Sequence, residues 1–164
     1  MCGIAKGWAL HRVPAMAREL GIASLFMDLG GEILAIGQHP EGRSWQVGVE
    51  DPSGGPPAAV LRLPSGMAVA TSGLAAQSYG AGGARVGHII DPRRGAPASD
   101  SMTSVTVVSD SAMTADGWAT ALFAAGRDAG LEIARAKGLA VLFLWEDEAS
   151  LQQAASGAME DFLI

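Results

Sequence analysis

A strand followed at once by a helix is the feature that most constrains how this chain can fold. The β-branched run S-V-T-V-V that begins at Ser104 predicts a strand over 104–109. Apolar residues at helical spacing then predict a helix over 111–125. Asp116 and Thr120 stand four residues apart in this helix, so their side chains leave the same face. Such a pair can supply two hard oxygen ligands to Mg²⁺ or Ca²⁺, although an Asp/Thr couple at this spacing is more often simply a solvated helix face.

The first part of the chain predicts a helix and then a series of short strands. Apolar spacing predicts the helix over 6–20, with a kink or a restart at Pro14 and an end at Gly21. Gly30 and Gly31 join two apolar runs and predict a tight hairpin. The strands predicted in this part are 23–29, 32–37, 45–50, 60–63, 67–70 and 88–92.

The second part of the chain alternates helices with strands. A helix over 127–137 ends at Gly138, and a buried strand follows over 139–145. The last residues, 148–162, predict an amphipathic helix with an acidic face. Early hairpins and later alternation predict an α+β fold, and we expect a single domain over 1–164. The segment 51–57 is predicted as a turn or loop, and 72–87 and 93–103 are predicted as loops.

The composition excludes several classes of protein. The chain has 164 residues, of which 49% are hydrophobic and 17% charged, so it can build a globular core. The net charge of −6 is concentrated near the C-terminus, and without a basic patch we expect no nucleic-acid partner. Cys2 is the only cysteine, which rules out an intrachain disulfide. No apolar run could span a membrane and no signal peptide is expected here, so the compartment stays unknown. The acidic residues at this end are Glu146, Asp147, Glu148, Glu160 and Asp161.

Common catalytic and nucleotide-binding motifs are absent from the sequence. It contains no G-x-x-x-x-G-K-[ST], no G-x-G-x-x-G between strand and helix, and no H-E-x-x-H, C-x-x-C or G-x-S-x-G. Its histidines, His11, His39 and His88, are isolated from one another. His88 differs because H-I-I-D-P places it three residues before Asp91 at a predicted strand end. The pair either ends the strand and opens a turn, or lines a pocket beside a metal.

Five short motifs occur in order along the chain. They are G-I-A-K-G-W-A from Gly3, D-L-G-G-E-I from Asp28, A-T-S-G from Ala70, H-I-I-D-P from His88 and T-A-D-G-W-A-T-A-L from Thr114. In order and approximate spacing these motifs resemble those of the FAD:protein FMN transferase (ApbE) family. The resemblance extends from the first residue to about Leu144.

The resemblance implies an α+β fold related to the tunnelling (T-fold) architecture. It also implies an enzyme that binds FAD and Mg²⁺, moves FMN from FAD onto a Thr or Ser hydroxyl of an acceptor protein, and releases AMP. Some family members instead hydrolyse FAD to FMN and AMP. A further alternative is an inactive remnant with a partial flavin pocket. Members of the family are often exported or membrane-anchored.

The matching motifs imply a set of site residues for this chain. The implied metal ligands are the backbone carbonyl of Gly3 and the side chains of Asp116 and Thr120. His88 is the expected general base for the attacking hydroxyl, and Lys6 is expected to place a positive charge near phosphate oxygens. The positions implied around the FAD are Lys6, Glu32, Thr71, Ser72, His88, Ile90 and Asp91.

The sequence also departs from the family pattern. The family has a long N-terminal half before G-I-A-K-G, with part of the flavin pocket and an aspartate that would fall just before Met1. We therefore expect the C-terminal part of an incomplete family domain, from a partial gene product or an internal start. An apolar sheet face left uncovered by the missing half predicts self-association or poor solubility. Smaller departures stand at His11, Leu74, Ala75, Gly87, Arg94 and Gly117.

Overall fold

The computed structural model describes residues 2–74, 78–81, 84–98, 102–148 and 150–164. The helices are α1 (Cys2–Glu19), α2 (Ala112–Ala125) and α3 (Arg127–Lys137), and a 3₁₀ helix over Gly157–Asp161 follows the last strand. The strands are β1 (Leu25–Leu29), β2 (Glu32–Ile36), β3 (Trp45–Val49), β4 (Ala59–Leu63), β5 (Ala68–Gly73), β6 (Ser78–Ala81), β7 (Ala84–Gly87), β8 (Ile90–Asp91), β9 (Ala96–Pro97), β10 (Met102–Ser109), β11 (Ala140–Asp147) and β12 (Ser150–Ser156).

Six of these strands form an antiparallel sheet at the centre of the fold. Their order is β1-β2-β5-β10-β11-β12. The strand β10 pairs Thr106 with Thr71 of β5 on one side and with Leu142 of β11 on the other. Every residue of β10 from Met102 to Val108 is buried, as expected for a central strand covered on both faces. The other described strands pair as the hairpins β3–β4, β6–β7 and β8–β9.

Different layers cover the two faces of this sheet. Along β11, Val141 and Phe143 pack in a cluster with side chains of α2 and α3. Leu142 and Leu144 point to the opposite face and pack with the β3–β4 hairpin and with Met159 of the 3₁₀ helix. The alternation of side chains along β11 therefore contributes to two cores, with α2 and α3 on one face of the sheet and the β3–β4 hairpin and the 3₁₀ helix on the other.

The prediction that one face of the sheet is uncovered is wrong for the described part of the chain, because a layer packs on both faces. Large exposed apolar side chains do occur, and several lie on or just after α1: Ile4, Trp8, Met16 and Leu20. No helix among the described residues is both long and apolar enough to cross a lipid bilayer.

The hairpin predicted at Gly30 and Gly31 is confirmed. The strands β1 and β2 pair up to Leu29 and Glu32, which leaves the two glycines as the turn. Both glycines have positive φ, 67° and 99°, a region that other residues enter only at a cost. The Asp28 Oδ1 accepts a hydrogen bond from the Gly31 N–H at 2.8 Å. This turn places Glu32 at the very start of β2.

The helices predicted over 111–125 and 127–137 are confirmed as α2 and α3. Ser111 caps α2, and its Oγ accepts a hydrogen bond from the Thr114 N–H at 3.3 Å. Gly138 ends α3 in the left-handed conformation, with φ of 63°.

The helix predicted over 6–20 begins earlier, at Cys2, and ends at Glu19. It continues through Pro14, so the expected restart there is wrong. The departure from helical backbone angles lies instead at Gly3, with φ of −83° and ψ of 22°. The residue at which α1 departs from helical geometry therefore lies within the G-I-A-K-G-W-A motif.

The amphipathic helix predicted over 148–162 is also wrong. Residues Ser150–Ser156 form β12, which pairs along the free edge of β11 from Ser150 with Asp147 to Ser156 with Val141. Alanine and glutamine favour a helix locally, but the edge of β11 offers a full row of backbone partners. Tertiary pairing therefore overrides local propensity here.

Two segments predicted as loops contain short strands. The segment 72–87 includes the end of β5 and the β6–β7 hairpin, and 93–103 includes β9 and the start of β10. The strand predicted over 88–92 is confined to β8. Glycine- and alanine-rich strands carry little apolar alternation, which is why the sequence pattern did not reveal them. Residues 75–77, 82–83 and 99–101 of these predictions lie outside the described residues.

Candidate functional site

A cavity of about 570 Å³ lies where α1, α2, β5 and the segment before β8 meet. This volume is in the range of small-molecule sites. Nine of the ten site residues predicted from the sequence line the cavity, and Asp91 is the exception. The described lining consists of Gly3, Lys6, Gly30, Glu32, Thr71, Ser72, Gly73, His88, Ile89, Ile90, Pro92, Asp116, Gly117, Thr120, Ala121 and Ala124.

The contact between α1 and α2 builds one wall of this cavity. Gly3 faces Thr120 and Gly7 faces Asp116. Two glycines one turn apart on α1 therefore lie opposite two polar residues one turn apart on α2. A Cβ placed on Gly3 would lie 2.7 Å from Thr120 Oγ1, and one on Gly7 would lie 2.5 Å from Asp116 Cβ. No real side chain fits at such distances. The two glycines therefore let the backbone of α1 come directly against the polar residues of α2.

Asp116 is 3% exposed and faces α1. Its Oδ2 accepts a hydrogen bond from the backbone N–H of Gly7 at 2.8 Å. A buried carboxylate is costly unless a donor or a cation compensates for the lost water. The Gly7 amide supplies one such donor.

Hydroxyl groups extend the polar wall from α2 onto the sheet. The Thr120 Oγ1 lies 3.1 Å from the Ser72 Oγ of β5. The Thr71 Oγ1 lies 2.9 Å from the Thr106 Oγ1, its cross-strand partner on β10. The register of the central sheet therefore sets which hydroxyls of β5 reach the helix.

Lys6 and Glu32 form an ion pair on the next part of the wall. Glu32 is 5% exposed, whereas the Lys6 side chain is 44% exposed. The Lys6 Nζ also donates to the Gly30 carbonyl at 3.1 Å. Burial raises the pKa of Glu32, Lys6 opposes the rise, and the nearby Asp116 carboxylate adds to it. The ammonium is thus held at the cavity by two acceptors while part of it still faces solvent.

The segment from His88 to Pro92 forms the opposite wall. His88 and Ile90 are exposed, and both line the cavity. Asp91 is buried outside the wall, and its Oδ1 accepts from the Arg93 backbone N–H at 2.9 Å and from the Arg93 Nε at 3.2 Å. These hydrogen bonds with Arg93 lower the pKa of Asp91. An Arg93 NH₂ group also donates to the Ala125 carbonyl at 3.0 Å, which ties this turn to the end of α2.

The donor chemistry of the α1–α2 wall fits a hard divalent cation such as Mg²⁺. The wall combines the carboxylate of Asp116, the hydroxyl of Thr120 and the backbone of Gly3, which line the same cavity, and Gly3 lies directly against Thr120. Mg²⁺ takes oxygen ligands and is commonly held by only one or two carboxylates together with substrate phosphates. No group of three or more His, Cys, Asp or Glu side chains suited to a metal occurs in the described part of the chain. A set of mostly neutral oxygen donors is consistent with that finding.

Sequence reasoning missed Gly7 as a site residue. It also missed Pro92 and Ala124, which contribute to the lining. A signal for Gly7 was available, because Gly3 and Gly7 repeat the four-residue spacing of Asp116 and Thr120. Glycines at this spacing make a flat strip on a helix where another helix can approach closely.

The fold is similar to those of solved flavin transferases. The flavin transferase ApbE from Vibrio cholerae matches with a TM-score of 0.85 and 34% identity, covering 98% of this chain and 51% of that chain. The apo form of the Pseudomonas stutzeri flavinyl transferase ApbE matches with a TM-score of 0.84 and 31% identity, covering 97% and 49%. The expected mixed fold of this family is therefore confirmed.

Curated relatives of similar sequence carry the name of the same family of enzymes. The FAD:protein FMN transferase of Vibrio cholerae is 35% identical over 161 residues, which cover 98% of this chain and 48% of that protein. The enzyme of the same name from Escherichia coli strain K12 is 30% identical over 163 residues, covering 98% and 46%. The chain thus spans about half the length of the curated relatives it matches. The model of the ApbE family matches residues 1–143, close to the extent of the motif resemblance, and the chain belongs to the ApbE family.

Proposed function

We propose that this chain supplies the metal- and phosphate-binding part of an FAD:protein FMN transferase. FMN moves from FAD to a Thr or Ser hydroxyl of an acceptor protein, AMP is released, and Mg²⁺ is required. The observation that carries the proposal is the convergence of Lys6, Ser72, Asp116 and Thr120 on one cavity. The names of the Vibrio cholerae and Escherichia coli relatives support it. We further propose that 1–164 acts as a single domain, because one sheet extends from β1 to β12.

The proposed reaction forms one P–O bond and breaks another. The acceptor hydroxyl oxygen attacks the FMN phosphorus of FAD. The bond from this phosphorus to the bridging oxygen of the pyrophosphate breaks, and AMP leaves with that oxygen. The hydroxyl proton passes to a base. Phosphoryl transfer of this kind depends mainly on positioning and on neutralising charge.

Lys6 is proposed to neutralise charge on the phosphate groups. Its contacts with Glu32 and the Gly30 carbonyl hold the ammonium at the cavity wall, and its partial exposure leaves it accessible to a phosphate oxygen. Thr71, Ser72 and Ile90 are proposed to contact the flavin nucleotide from the other walls. Asp91 is proposed to support that contact by holding the turn behind Ile90.

The Gly3 carbonyl, the Asp116 carboxylate and the Thr120 hydroxyl would hold Mg²⁺. When bound, the ion supplies further charge neutralisation at phosphate oxygens. Ser72 lies within hydrogen-bonding distance of Thr120 and would orient its hydroxyl. Asp116 is oriented in turn by the Gly7 amide.

His88 is the proposed base for the acceptor hydroxyl. It lines the same cavity from its exposed side, where the acceptor protein can approach. A neutral imidazole nitrogen would accept the proton as the P–O bond forms.

Hydrolysis of FAD to FMN and AMP is a second candidate function. It is favoured by the exposure of His88, because water can reach the place proposed for the acceptor hydroxyl. The same phosphorus–oxygen bond would break, with a water oxygen as the nucleophile.

The test mixes the chain with FAD, Mg²⁺ and an acceptor protein that carries a candidate threonine. Transfer predicts flavin fluorescence that stays with the acceptor on a denaturing gel, together with an equal amount of AMP. FMN and AMP without a labelled acceptor would favour hydrolysis.

Asp116→Ala and Asp110→Ala form a matched pair, because Asp110 is exposed just before α2. The first substitution is expected to abolish product and the second to leave the rate unchanged. An inactive wild-type chain, or equal rates for the two variants, would reject the proposed function and favour a remnant without activity.

A further inference from the structure

The backbone N–H of Gly7 is directed at α2 although Gly7 lies inside α1. In a regular α-helix this N–H donates to the carbonyl four residues earlier, which is that of Gly3. Here it donates to Asp116 Oδ2 at 2.8 Å, in a buried contact. Gly3 is also the point at which α1 leaves helical backbone angles. The Gly7 N–H thus has an acceptor on α2, one turn after the point at which α1 leaves helical backbone angles.

Only glycine can occupy this position at the observed distance between the helices. A Cβ on Gly7 would lie 2.5 Å from Asp116 Cβ and 2.9 Å from Met113 Cα. Any side chain would push α1 away from α2 and lengthen the hydrogen bond to Asp116. Close packing and the hydrogen bond therefore depend on each other.

We propose that Gly7 is a positioning residue for the metal site. Its N–H fixes the Asp116 carboxylate, and its lack of a side chain lets the backbone of α1 pack closely enough for Gly3 to lie directly against Thr120. This inference rests on the proposed function, because it takes Gly3, Asp116 and Thr120 as the ligands of a divalent cation. Groups that orient a metal ligand from behind typically contribute about 10- to 100-fold in metal affinity.

The first test removes only the Gly7 N–H. Glycolic acid in place of Gly7 converts the amide into an ester without adding a side chain. The matched control is lactic acid in place of Ala9, which removes an N–H elsewhere in α1. Binding of Mn²⁺ alone is measured by calorimetry, without FAD.

The Gly7 ester is expected to weaken Mn²⁺ binding by about 10- to 100-fold, and the Ala9 ester is expected to leave it unchanged. Equal affinities for the two esters, or a wild-type chain that binds no Mn²⁺, would overturn the proposal.

The second test uses the 164-residue chain without metal and follows the Gly7 amide proton by NMR. Asp116→Asn is expected to move this signal upfield, because a neutral amide oxygen accepts a weaker hydrogen bond than a carboxylate. Asp110→Asn is expected to leave it in place. An unmoved Gly7 signal in Asp116→Asn would reject the positioning role whether or not the ester folds. Neither test needs FAD or an acceptor, so absence of flavin transfer with the expected Mn²⁺ result would reject the proposed function alone.

Discussion

Lys6 of α1 forms an ion pair with Glu32, the buried first residue of β2. The same ammonium donates to the carbonyl of Gly30, so one side chain links the first helix to the first hairpin turn. Both partners line the cavity. This pair therefore contributes at once to the attachment of α1 and to the charge of the proposed phosphate site.

Glu32→Gln should change how stability depends on pH. Because burial raises the pKa of Glu32 above its ordinary 4.5, the folded chain holds this proton more tightly than the unfolded chain does. Stability contributed by Glu32 is therefore present below pH 4.5 and is lost as the pH rises through the raised pKa. Glu32→Gln should remove this decline, as measured by thermal unfolding from below pH 4.5 to neutral pH. Glu50→Gln, at an exposed position, should keep the wild-type slope, and identical profiles for all three proteins would contradict the prediction.

Asp91→Asn should have the opposite dependence on pH. Hydrogen bonds with Arg93 hold the pKa of Asp91 below its ordinary 3.8, so its stabilisation is present above pH 3.8 and is lost as the pH falls through the lowered pKa. The variant should unfold at lower urea than wild type at neutral pH, and the difference should shrink in acid. Asp128→Asn is the control, since the Asp128 side chain is 87% exposed. A difference that is constant at every pH would argue against the ionic contact with Arg93.

Gly117→Ala should stabilise the chain by about 0.5 to 1 kcal/mol, because alanine is the better helix former and loses less entropy on folding. The added Cβ would meet only the Ile4 side chain, at an ordinary 3.6 Å. Urea unfolding measures the change. Gly130→Ala in α3 is the contrasting variant, because its Cβ would lie 3.0 Å from the Leu122 carbonyl oxygen. Equal stabilisation by both substitutions would show that the space around each glycine is unimportant.

Thr120→Val should remove the stabilisation of the chain by Mn²⁺, because valine keeps the shape of threonine but lacks the oxygen ligand. Thr120→Ser keeps the hydroxyl that lies 3.1 Å from Ser72 and should retain most of the effect. The measurement is the increase in melting temperature with added Mn²⁺. An unchanged increase in Thr120→Val would exclude this hydroxyl from the proposed ligand set.

Local chemistry explains the parts of the fold that could be predicted. A hairpin is predictable at Gly30 and Gly31 because both turn positions need positive φ. Helix ends are predictable at Ser111 and Gly138 because these residues satisfy terminal backbone groups. The strand β12 could not be predicted in this way. Its conformation depends on pairing with the edge of β11. The local sequence of Ser150–Ser156 contains no pattern that indicates this partner strand.

Within the candidate site, too, some residues could be predicted from the sequence and others could not. Ordered motifs indicated Asp116, Thr120 and Lys6, and the structure brings them to one cavity. The four-residue spacing of Gly3 and Gly7 could indicate a close helix contact, but it could not identify Asp116, 109 positions away, as the acceptor of the Gly7 N–H. Asp91 was expected around the FAD, whereas its carboxylate contacts Arg93 outside the cavity wall.

The central strand β10 and the helix α2 that follows it are continuous in sequence, and together they hold the middle of the core and two of the proposed metal ligands. The β3–β4 hairpin packs on the face of the sheet opposite α2 and contributes no residue to the described cavity lining. Laboratory evolution for solubility or expression can therefore be directed at the β3–β4 hairpin without changing the residues that line the cavity. Substitutions between Met102 and Ala125 would be selected for folding and for ligand binding at the same time.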